Sequence, residues 1–251
     1  MSSADREPLA PAVDAVVPHP GDGGDWTDPL VAGEWAKGDH MEAFLALPRR
    51  MTADVLALGS RPVRTIVDVG SGPGGFLSVL LDRLPDARGL WTDVSPAMQS
   101  LAAERLARFG GRVELQLLDA MQLDQVAAPG KVAAPGGVDA PGKVDAVVTS
   151  RVSHHLLPDQ LLAFYRSADR LLGEWGWIAN LDHVTLPQPW EDRLVAARTE
   201  VVPRNLSPHH HDGPRPTLAD HLAALESLGD LDVVVAWQAY TTVLILAGRG
   251  T

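Results

Sequence analysis

The chain of 251 residues suits one α/β domain with accessory helices, and its 45% content of hydrophobic residues is sufficient for a large core. A formal net charge of −11 and the lack of a Lys/Arg run disfavour a nucleic-acid substrate, because nucleic acids are bound largely by neutralising phosphates. The sequence has no cysteine, no apolar run of membrane-spanning length and no secretory signal, which excludes disulfide and cysteine–zinc chemistry and predicts a cytoplasmic protein.

The first part of the chain predicts a leader and a helical cap. Residues 1–25 are rich in Pro, Gly and Asp without a sustained hydrophobic period, which is typical of a flexible leader. Residues 26–59 carry apolar side chains at roughly helical spacing, and Pro48 is expected to interrupt the helix. We therefore predict an N-terminal helical cap that precedes a domain of residues 60–251.

From residue 64 onward, strand-like and helix-like segments alternate. The short apolar runs that predict strands lie at residues 64–69, 88–93, 113–118, 144–150 and 177–181. Helical patterns lie at residues 75–84, 96–109 and 158–172, and the second of these has Ser95 as a predicted N-cap before Pro96. Strands separated by helices indicate β–α–β units, which build a parallel sheet with right-handed crossovers.

The C-terminal part departs from this alternation. After a helical pattern at 218–228, two apolar runs at 231–237 and 241–247 lie so close together that only an antiparallel pair can join them. We predict a Rossmann-like, doubly wound α/β fold, with a mostly parallel seven-stranded sheet that ends in an antiparallel hairpin. Residues 127–143 repeat a short Ala-Pro-Gly motif and are predicted to be a flexible insertion.

A glycine-rich turn follows the first predicted strand and opens a helix, with the sequence Asp68-Val-Gly-Ser-Gly-Pro-Gly-Gly75. Glycines allow a tight turn and a close approach of ligand to the helix N-terminus, where free N–H groups favour anionic groups. The glycines at 70, 72 and 75, with Asp93 after the second strand, also satisfy the dinucleotide-binding fingerprint. Two classes of cofactor therefore compete at this turn.

Three features separate the two classes. Asp68 would repel a pyrophosphate but would suit the ammonium group of a methionine moiety. Pro73 removes one backbone N–H from the loop that would otherwise cradle phosphate. Asp119 ends the third strand, where it can accept a hydrogen bond from an adenine amino group.

Four ordered motifs at strand ends carry a family resemblance. The first strand ends in a D-x-G-x-G-x-G turn, matched in full by Asp68, Gly70, Gly72 and Gly74. The later strand ends match at Asp93, at Asp119-Ala120, at residues 145–150 and at His154-His155-Leu156. In these motifs, and in its C-terminal hairpin, the chain resembles the class I S-adenosylmethionine-dependent methyltransferases over about residues 64–251.

The resemblance implies S-adenosylmethionine as the cofactor and assigns roles to the matched positions. Asp93 would bind the ribose hydroxyls, and Asp119 and Ala120 would lie beside the adenine. Met98 is a candidate to pack on the adenine, and a place in the core is the alternative for this residue. The implied cofactor-binding residues are Asp68, Gly70, Ser71, Gly72, Gly74, Asp93, Val94, Met98, Asp119, Ala120 and Ser150.

Candidate residues for the acceptor side are mostly histidines and tryptophans. His154 and His155 follow the fourth strand and are candidates for a general base or for positioning the acceptor, since imidazole titrates near neutrality. The residues predicted to line the acceptor pocket are Trp26, Trp35, Asp182, His183 and His210. Asp182 and His183 are adjacent in a strand-like segment and should point apart, so no dyad is expected between them. For the same reason His209 to His211 predict no metal site.

The leading functional interpretation is the transfer of a methyl group to an O, N or C atom of a small-molecule metabolite, with neither nucleic acid nor membrane as partner. A protein of this fold with a regulatory or non-methylating role stays open, because cofactor motifs do not identify an acceptor. A nicotinamide-dependent oxidoreductase is less favoured, since neither Tyr165 nor Tyr240 has a Lys four residues later.

Overall fold

A seven-stranded sheet forms the centre of the structure, a computed structural model that describes residues 28–30, 33, 41–126, 143–201 and 215–250. Its strands are β1 Thr65–Val69, β2 Arg88–Asp93, β3 Val113–Leu117, β4 Val144–Ser150, β5 Leu172–His183, β6 Asp232–Ala239 and β7 Thr242–Gly248. They lie in the order β3-β2-β1-β4-β5-β7-β6. Only β7 runs antiparallel to its neighbours, β5 and β6, which confirms the predicted parallel sheet with a C-terminal hairpin.

Within the described ranges from residue 41 onward, six α-helices flank the sheet. They are α1 Met41–Leu58, α2 Gly75–Arg83, α3 Pro96–Leu106, α4 Pro158–Leu171, α5 Gln188–Val201 and α6 Leu218–Glu226. One buried apolar cluster packs α1, α2 and α3 on one face of the sheet, and a second packs α4 and α6 on the other. The doubly wound arrangement is therefore confirmed. No helix in the described ranges is both long and apolar enough to cross a bilayer.

The strand order places a crevice where the winding reverses. The chain moves outward through β1, β2 and β3, and then returns to place β4 on the other side of β1. In open α/β sheets a ligand binds outside the carboxyl ends of the strands at such a reversal. The residues after β1 and β4 are thus the first to consider for a functional site.

The structure differs from the sequence-based prediction in three elements. Helix α1 continues through Pro48, where we expected an interruption. Proline removes the N–H that would bond to the carbonyl four residues earlier and crowds that carbonyl, yet Pro48 is buried inside a helix that continues to Leu58. Strand β5 begins at Leu172 rather than at 177, and α5 had not been predicted because its apolar periodicity is weak.

Two predicted segments lie outside the described residues. These are the leader, residues 1–25, and the insertion at 127–143, of which only Lys143 is described. The N-cap prediction for α3 is confirmed, since Ser95 Oγ accepts a hydrogen bond from Met98 N at 3.3 Å and Pro96 occupies the first turn.

We expect Arg112→Ala to destabilise the fold by about 1–3 kcal/mol. The guanidinium of Arg112 donates to the carbonyls of Leu81 and Ala87 at 3.3 and 3.1 Å, and thereby satisfies the carboxyl end of α2. The free energy of unfolding from urea titrations measures the loss. The matched control is Arg64→Ala, which removes an exposed contact with Asp86 at 3.4 Å and should cost less than about 0.5 kcal/mol. Equal losses in the two variants would contradict the capping role.

Candidate cofactor and active site

The carboxyl ends of four neighbouring strands bring the predicted site residues to one edge of the sheet. Asp68 lies in β1 and pairs in register with Trp91 of β2 and Val148 of β4. Asp93 ends β2, Ser150 ends β4, and Asp119 follows the end of β3. The edge therefore carries three carboxylates on adjacent strands, in the order that the sequence motifs implied.

The glycine turn after β1 is built from left-handed residues and is tied to β2. Gly70, Gly72 and Gly74 have φ values of 59°, 55° and 79°, which favour glycine. Ser71 N donates to Thr92 O at 2.9 Å, and Gly72 N donates to Asp93 Oδ2 at 2.9 Å. The position of the turn is thus fixed by the strand that ends in Asp93.

Two of these glycines have different surroundings. A Cβ atom on Gly70 would lie 2.2 Å from Val152 Cγ2, so the close approach of the loop after β4 requires glycine there. A Cβ atom on Gly72 would have no heavy atom within 4 Å, apart from its chain neighbours, among the described residues. The turn therefore leaves open space beside Gly72 and none beside Gly70.

Asp68 is fully buried, and only one of its two carboxylate oxygens accepts hydrogen bonds within the described residues. Its Oδ2 atom accepts hydrogen bonds from Ser71 Oγ at 2.5 Å and from Leu77 N at 3.2 Å. Within the described part of the chain, Oδ1 has no hydrogen-bond donor. Burial raises the pKa of Asp68 to about 7, against the opposing effects of the Ser71 hydrogen bond and the positive charge of Arg49. This carboxyl is poised between its neutral and ionised forms near neutral pH.

Asp93 connects the glycine turn to the start of α3 through its two carboxylate oxygens. Oδ2 accepts from Gly72 N and Oδ1 accepts from Ser95 N, each at 2.9 Å. Burial raises the pKa of Asp93, although these backbone hydrogen bonds oppose the shift. Because each carboxylate oxygen has a second lone pair, Asp93 can still accept a hydrogen bond from a ligand.

The remaining positions of the implied cofactor set differ in exposure. Asp119 is exposed and caps a short 3-10 helix, Ala120–Gln125, through a hydrogen bond from Met121 N to Oδ1 at 2.8 Å. Val94 is exposed and Ala120 is half-buried, while Met98 is buried in the core between the sheet and α3. Ser150 Oγ is buried and has no hydrogen-bond partner within the described ranges.

A second buried carboxylate, Asp182 near the end of β5, binds His154. The Nδ1 atom of His154 lies 2.6 Å from Asp182 Oδ1, and both side chains are almost completely buried. Oδ2 of Asp182 accepts from Val152 N at 2.9 Å and from Ser153 Oγ at 2.7 Å. Burial raises the pKa of Asp182, but the contacts with His154, His183 and Ser153 together outweigh burial and hold the pKa well below its usual range.

The three histidines of this edge lie against one another. The ring centroid of His154 lies 4.0 Å from that of His155 and 5.4 Å from that of His183. His183 Nδ1 lies 3.2 Å from Thr242 Oγ1. Burial, and then the nearby His154, lowers the pKa of His183 well below its usual range. His183 is therefore uncharged at neutral pH.

The sequence did not identify the partner of His154, and three further polar residues were missed. Tyr165, Asn180 and His221 are fully buried behind β5 and connect to Asp182. The available signal was the occurrence of Asn180 and Asp182 among the apolar residues of the second half of β5. Trp26, Trp35 and His210, predicted for the acceptor pocket, lie outside the described residues. Asp182 is engaged in five hydrogen bonds and is fully buried, so it holds its neighbours in place.

In the described ranges, no cluster of three or more His, Asp or Glu side chains has the arrangement of a metal site.

Asp68→Asn is expected to remove a pH dependence of stability. The carboxyl has a pKa of about 7 in the folded chain against 3.8 in the reference state, so the folded state binds more protons between these values. Its stabilising contribution is therefore complete below about pH 4 and is lost as the pH rises through about 7. Urea unfolding at several pH values should show wild type losing stability, relative to Asp68→Asn, as the pH increases. Asp86→Asn, at an exposed carboxyl, controls for the change in charge. Parallel curves for wild type and Asp68→Asn would contradict the assignment.

Part of the sequence is similar to known proteins. Residues 67–178 match the family model of a methyltransferase domain. A release factor glutamine methyltransferase from Cereibacter sphaeroides is 40% identical over 75 residues, which are 29% of this chain and 27% of that protein. The chain thus spans about a quarter of the length of this curated relative.

Solved structures match over most of the chain. An O-methyltransferase family protein from Burkholderia thailandensis has a TM-score of 0.60 and 19% identity, with 89% of this chain and 61% of that chain covered. The mitomycin 7-O-methyltransferase MmcR has a TM-score of 0.60 and 17% identity, with 89% and 58% covered. Each likeness shows the fold, and this chain spans less than two thirds of either protein. Residues 67–178 are therefore similar to a methyltransferase-domain family, and the solved structures show the same fold over most of the chain.

Proposed function

We propose that the protein transfers a methyl group from S-adenosylmethionine to a small molecule. The observation that carries this proposal is Asp68 Oδ1, a buried acceptor without a donor among the described residues, at a turn where Gly72 leaves open space. A buried polar atom without a partner costs about 1–3 kcal/mol, so a ligand that donates to it is favoured. The ammonium group of a methionine moiety is such a donor.

The three strand-end carboxylates suit the three polar parts of this cofactor. In the proposed arrangement Asp68 binds the ammonium group, Asp93 binds the ribose hydroxyls and Asp119 binds the adenine amino group. Asp93 and Asp119 each keep acceptor capacity beyond their backbone hydrogen bonds. Negative charge on neighbouring strands disfavours a pyrophosphate, which argues against a dinucleotide at the same turn.

The acceptor side is proposed to centre on His154. When bound, S-adenosylmethionine supplies a methyl group on a positively charged sulfur, which an acceptor atom displaces in line. Asp182 occupies Nδ1 of His154, so a proton from an acceptor hydroxyl would be taken by Nε2. The buried, ionised carboxylate would then stabilise the imidazolium that forms, as in other His–Asp pairs. His155 covers this ring and is proposed to help position the acceptor.

Two observations support a small acceptor over a macromolecule. The net charge of −11 opposes the binding of nucleic acids. The mitomycin 7-O-methyltransferase, whose fold this chain shares, acts by its name on a small molecule and on an oxygen atom. We therefore propose an acceptor whose reacting group is a hydroxyl that must lose a proton.

Gly72→Ala is expected to weaken binding of S-adenosylmethionine by about tenfold or more, because the added methyl group fills the space proposed for the cofactor. The matched control is Gly229→Ala, which has a comparable positive φ of 88° and also no heavy atom within 4 Å of the added Cβ. Both variants carry backbone strain, so similar losses of thermal stability are expected. Isothermal titration with S-adenosylmethionine and with S-adenosylhomocysteine measures the difference in affinity.

The same titrations discriminate between the cofactor classes. We expect that NADH does not compete with S-adenosylhomocysteine for binding. The cofactor assignment would be overturned if NADH bound and neither adenosyl compound displaced it. Wild-type affinity for S-adenosylmethionine in Gly72→Ala would overturn it as well.

His154→Gln is expected to lower turnover by about 10²-fold or more, with unchanged affinity for S-adenosylmethionine. The assay measures formation of S-adenosylhomocysteine with a panel of small phenols and other hydroxyl compounds. His155→Gln is the matched variant and is expected to lower turnover less than His154→Gln, since His155 is proposed only to help position the acceptor. A larger loss in His155→Gln than in His154→Gln would move the base to His155.

A further inference from the structure

A surface cavity of about 340 Å³ lies at the amino ends of the parallel strands, a volume that suits a small molecule. Trp177, which lines it, pairs in register with Ala146 near the start of β4, whereas His183 ends β5 at the opposite edge of the sheet. At a rise of about 3.3 Å per residue, roughly 20 Å of strand separates Trp177 from His183. The cavity is therefore separate from the candidate active site. The side chains of its wall that enter the argument are Val55, Leu58, Arg61, Trp175, Trp177 and Arg249.

The apolar part of the wall consists of large side chains that remain in contact with water. Leu58, at the end of α1, is 79% exposed, and Trp175, in β5, is 39% exposed. Val55 and Trp177 line the same cavity and are half-buried. A ligand that fills the cavity would remove this apolar surface from water, which is favourable by about 25 cal/mol per Å².

Contacts on two sides hold the indole of Trp175 in place. A Cβ atom on Gly250 would lie 2.2 Å from Trp175 Cζ3, so the backbone after β7 approaches the indole more closely than any residue with a side chain could. The guanidinium carbon of Arg61 lies 5.1 Å from the centroid of the Trp175 ring, which is a cation–π distance. Because the indole is already ordered, little conformational entropy is lost when a ligand packs against it.

The two arginines of the cavity differ in their charge partners. Arg249 forms an ion pair with Asp169 and donates to Gly173 O at 3.2 Å. Arg61 is exposed, and within the described ranges its side chain contacts the Trp175 ring without an ion pair to a carboxylate. A guanidinium binds a carboxylate through two parallel hydrogen bonds. The cavity thus combines aromatic walls with one positive charge that is available to an anionic group.

We propose that this cavity is a second ligand site, which binds a small planar aromatic carboxylate. The ring of the ligand packs against Trp175 and Trp177, and its carboxylate pairs with Arg61. A neutral aromatic molecule lacks the ion pair and an aliphatic acid lacks the aromatic contacts, so both bind more weakly. The proposal does not rest on the proposed function, because it involves neither the glycine turn nor His154.

The test uses the full chain with naphthoate as the probe and naphthamide as its uncharged counterpart. Binding is followed by NMR through the indole N–H signals of Trp175 and Trp177, which are assigned from Trp175→Phe and Trp177→Phe. We expect naphthoate to shift both signals. Naphthamide should bind about twofold to fivefold more weakly, which is the range for an exposed ion pair.

Two variants with matched controls test the wall of the cavity. Arg61→Met should abolish the preference for naphthoate over naphthamide, and Trp175→Ala should weaken binding of both probes by about tenfold or more. Arg64→Met is the control for charge, because Arg64 is an exposed arginine outside the cavity wall. Trp190→Ala is the control for the indole, because Trp190 is also exposed and has Arg193 5.7 Å from its ring centroid. Both controls should bind naphthoate as wild type does.

Three results would overturn the proposal. One is the absence of shifts in the two indole signals at millimolar concentrations of naphthoate. Another is a naphthoate affinity that neither Arg61→Met nor Trp175→Ala lowers more than its control does. The third is displacement of naphthoate by S-adenosylhomocysteine, which would place the probe at the candidate active site. If S-adenosylhomocysteine does not bind at all, the proposed function fails, while the naphthoate titrations still decide the second site.

Discussion

A carboxylate that is removed from water stays ionised only when donors surround it, and this constraint divides the two buried acids at the carboxyl edge of the sheet. Asp182 receives five hydrogen bonds from β5, from the loop after β4 and from His154, and its pKa is lowered. Asp68 receives two on one oxygen, and its pKa is raised to about 7. The edge thus contains one carboxylate whose two oxygens both accept hydrogen bonds, Asp182, and one with an oxygen that has no donor among the described residues, Asp68. This contrast is consistent with separate tasks, orientation of a base at Asp182 and ligand recognition at Asp68.

The two acids are mechanically connected through Val152. Its backbone N–H donates to Asp182, while its side chain occupies the space that a Cβ atom on Gly70 would need. The glycine turn and the His154–Asp182 pair therefore share one contact, although they follow different strands. A side chain at position 70 would displace Val152 and, with it, the donor to Asp182. The requirement for glycine at this position arises from packing as well as from backbone conformation.

Much of the fold could be predicted from the sequence, because each element carries a local signal. The run of β-branched residues before the glycine turn, the Ser95-Pro96 helix start and the two closely spaced C-terminal runs predicted β1, α3 and the hairpin correctly. Pro48 misled because its effect depends on burial, and burial depends on tertiary packing. The convergence of the strand-end acids was also predictable, because parallel strands bring their carboxyl ends to one edge of the sheet.

The polar residues behind β5 could not be predicted in the same way. His154 and Asp182 are 28 positions apart, and Tyr165 and His221 are 56 apart, so no local spacing reports their contact. An isolated Asn in an apolar strand indicates that some partner exists, but only the packing of α4 and α6 on the sheet determines which one. Sequence patterns therefore predicted the strand-end acids better than the buried polar residues around His154 and Asp182.

The junction between α4 and β5 has no linking residue, since the helix ends at Leu171 and the strand begins at Leu172. An inserted or deleted residue would rotate one side of this junction against the other by about 100° if the helix absorbed it. Tyr165 would then leave Asn180, whatever amino acids were retained. Homologous chains can therefore differ in amino-acid composition around this junction, but insertions and deletions should accumulate elsewhere. The position of gaps in an alignment then indicates which relatives keep the same buried arrangement.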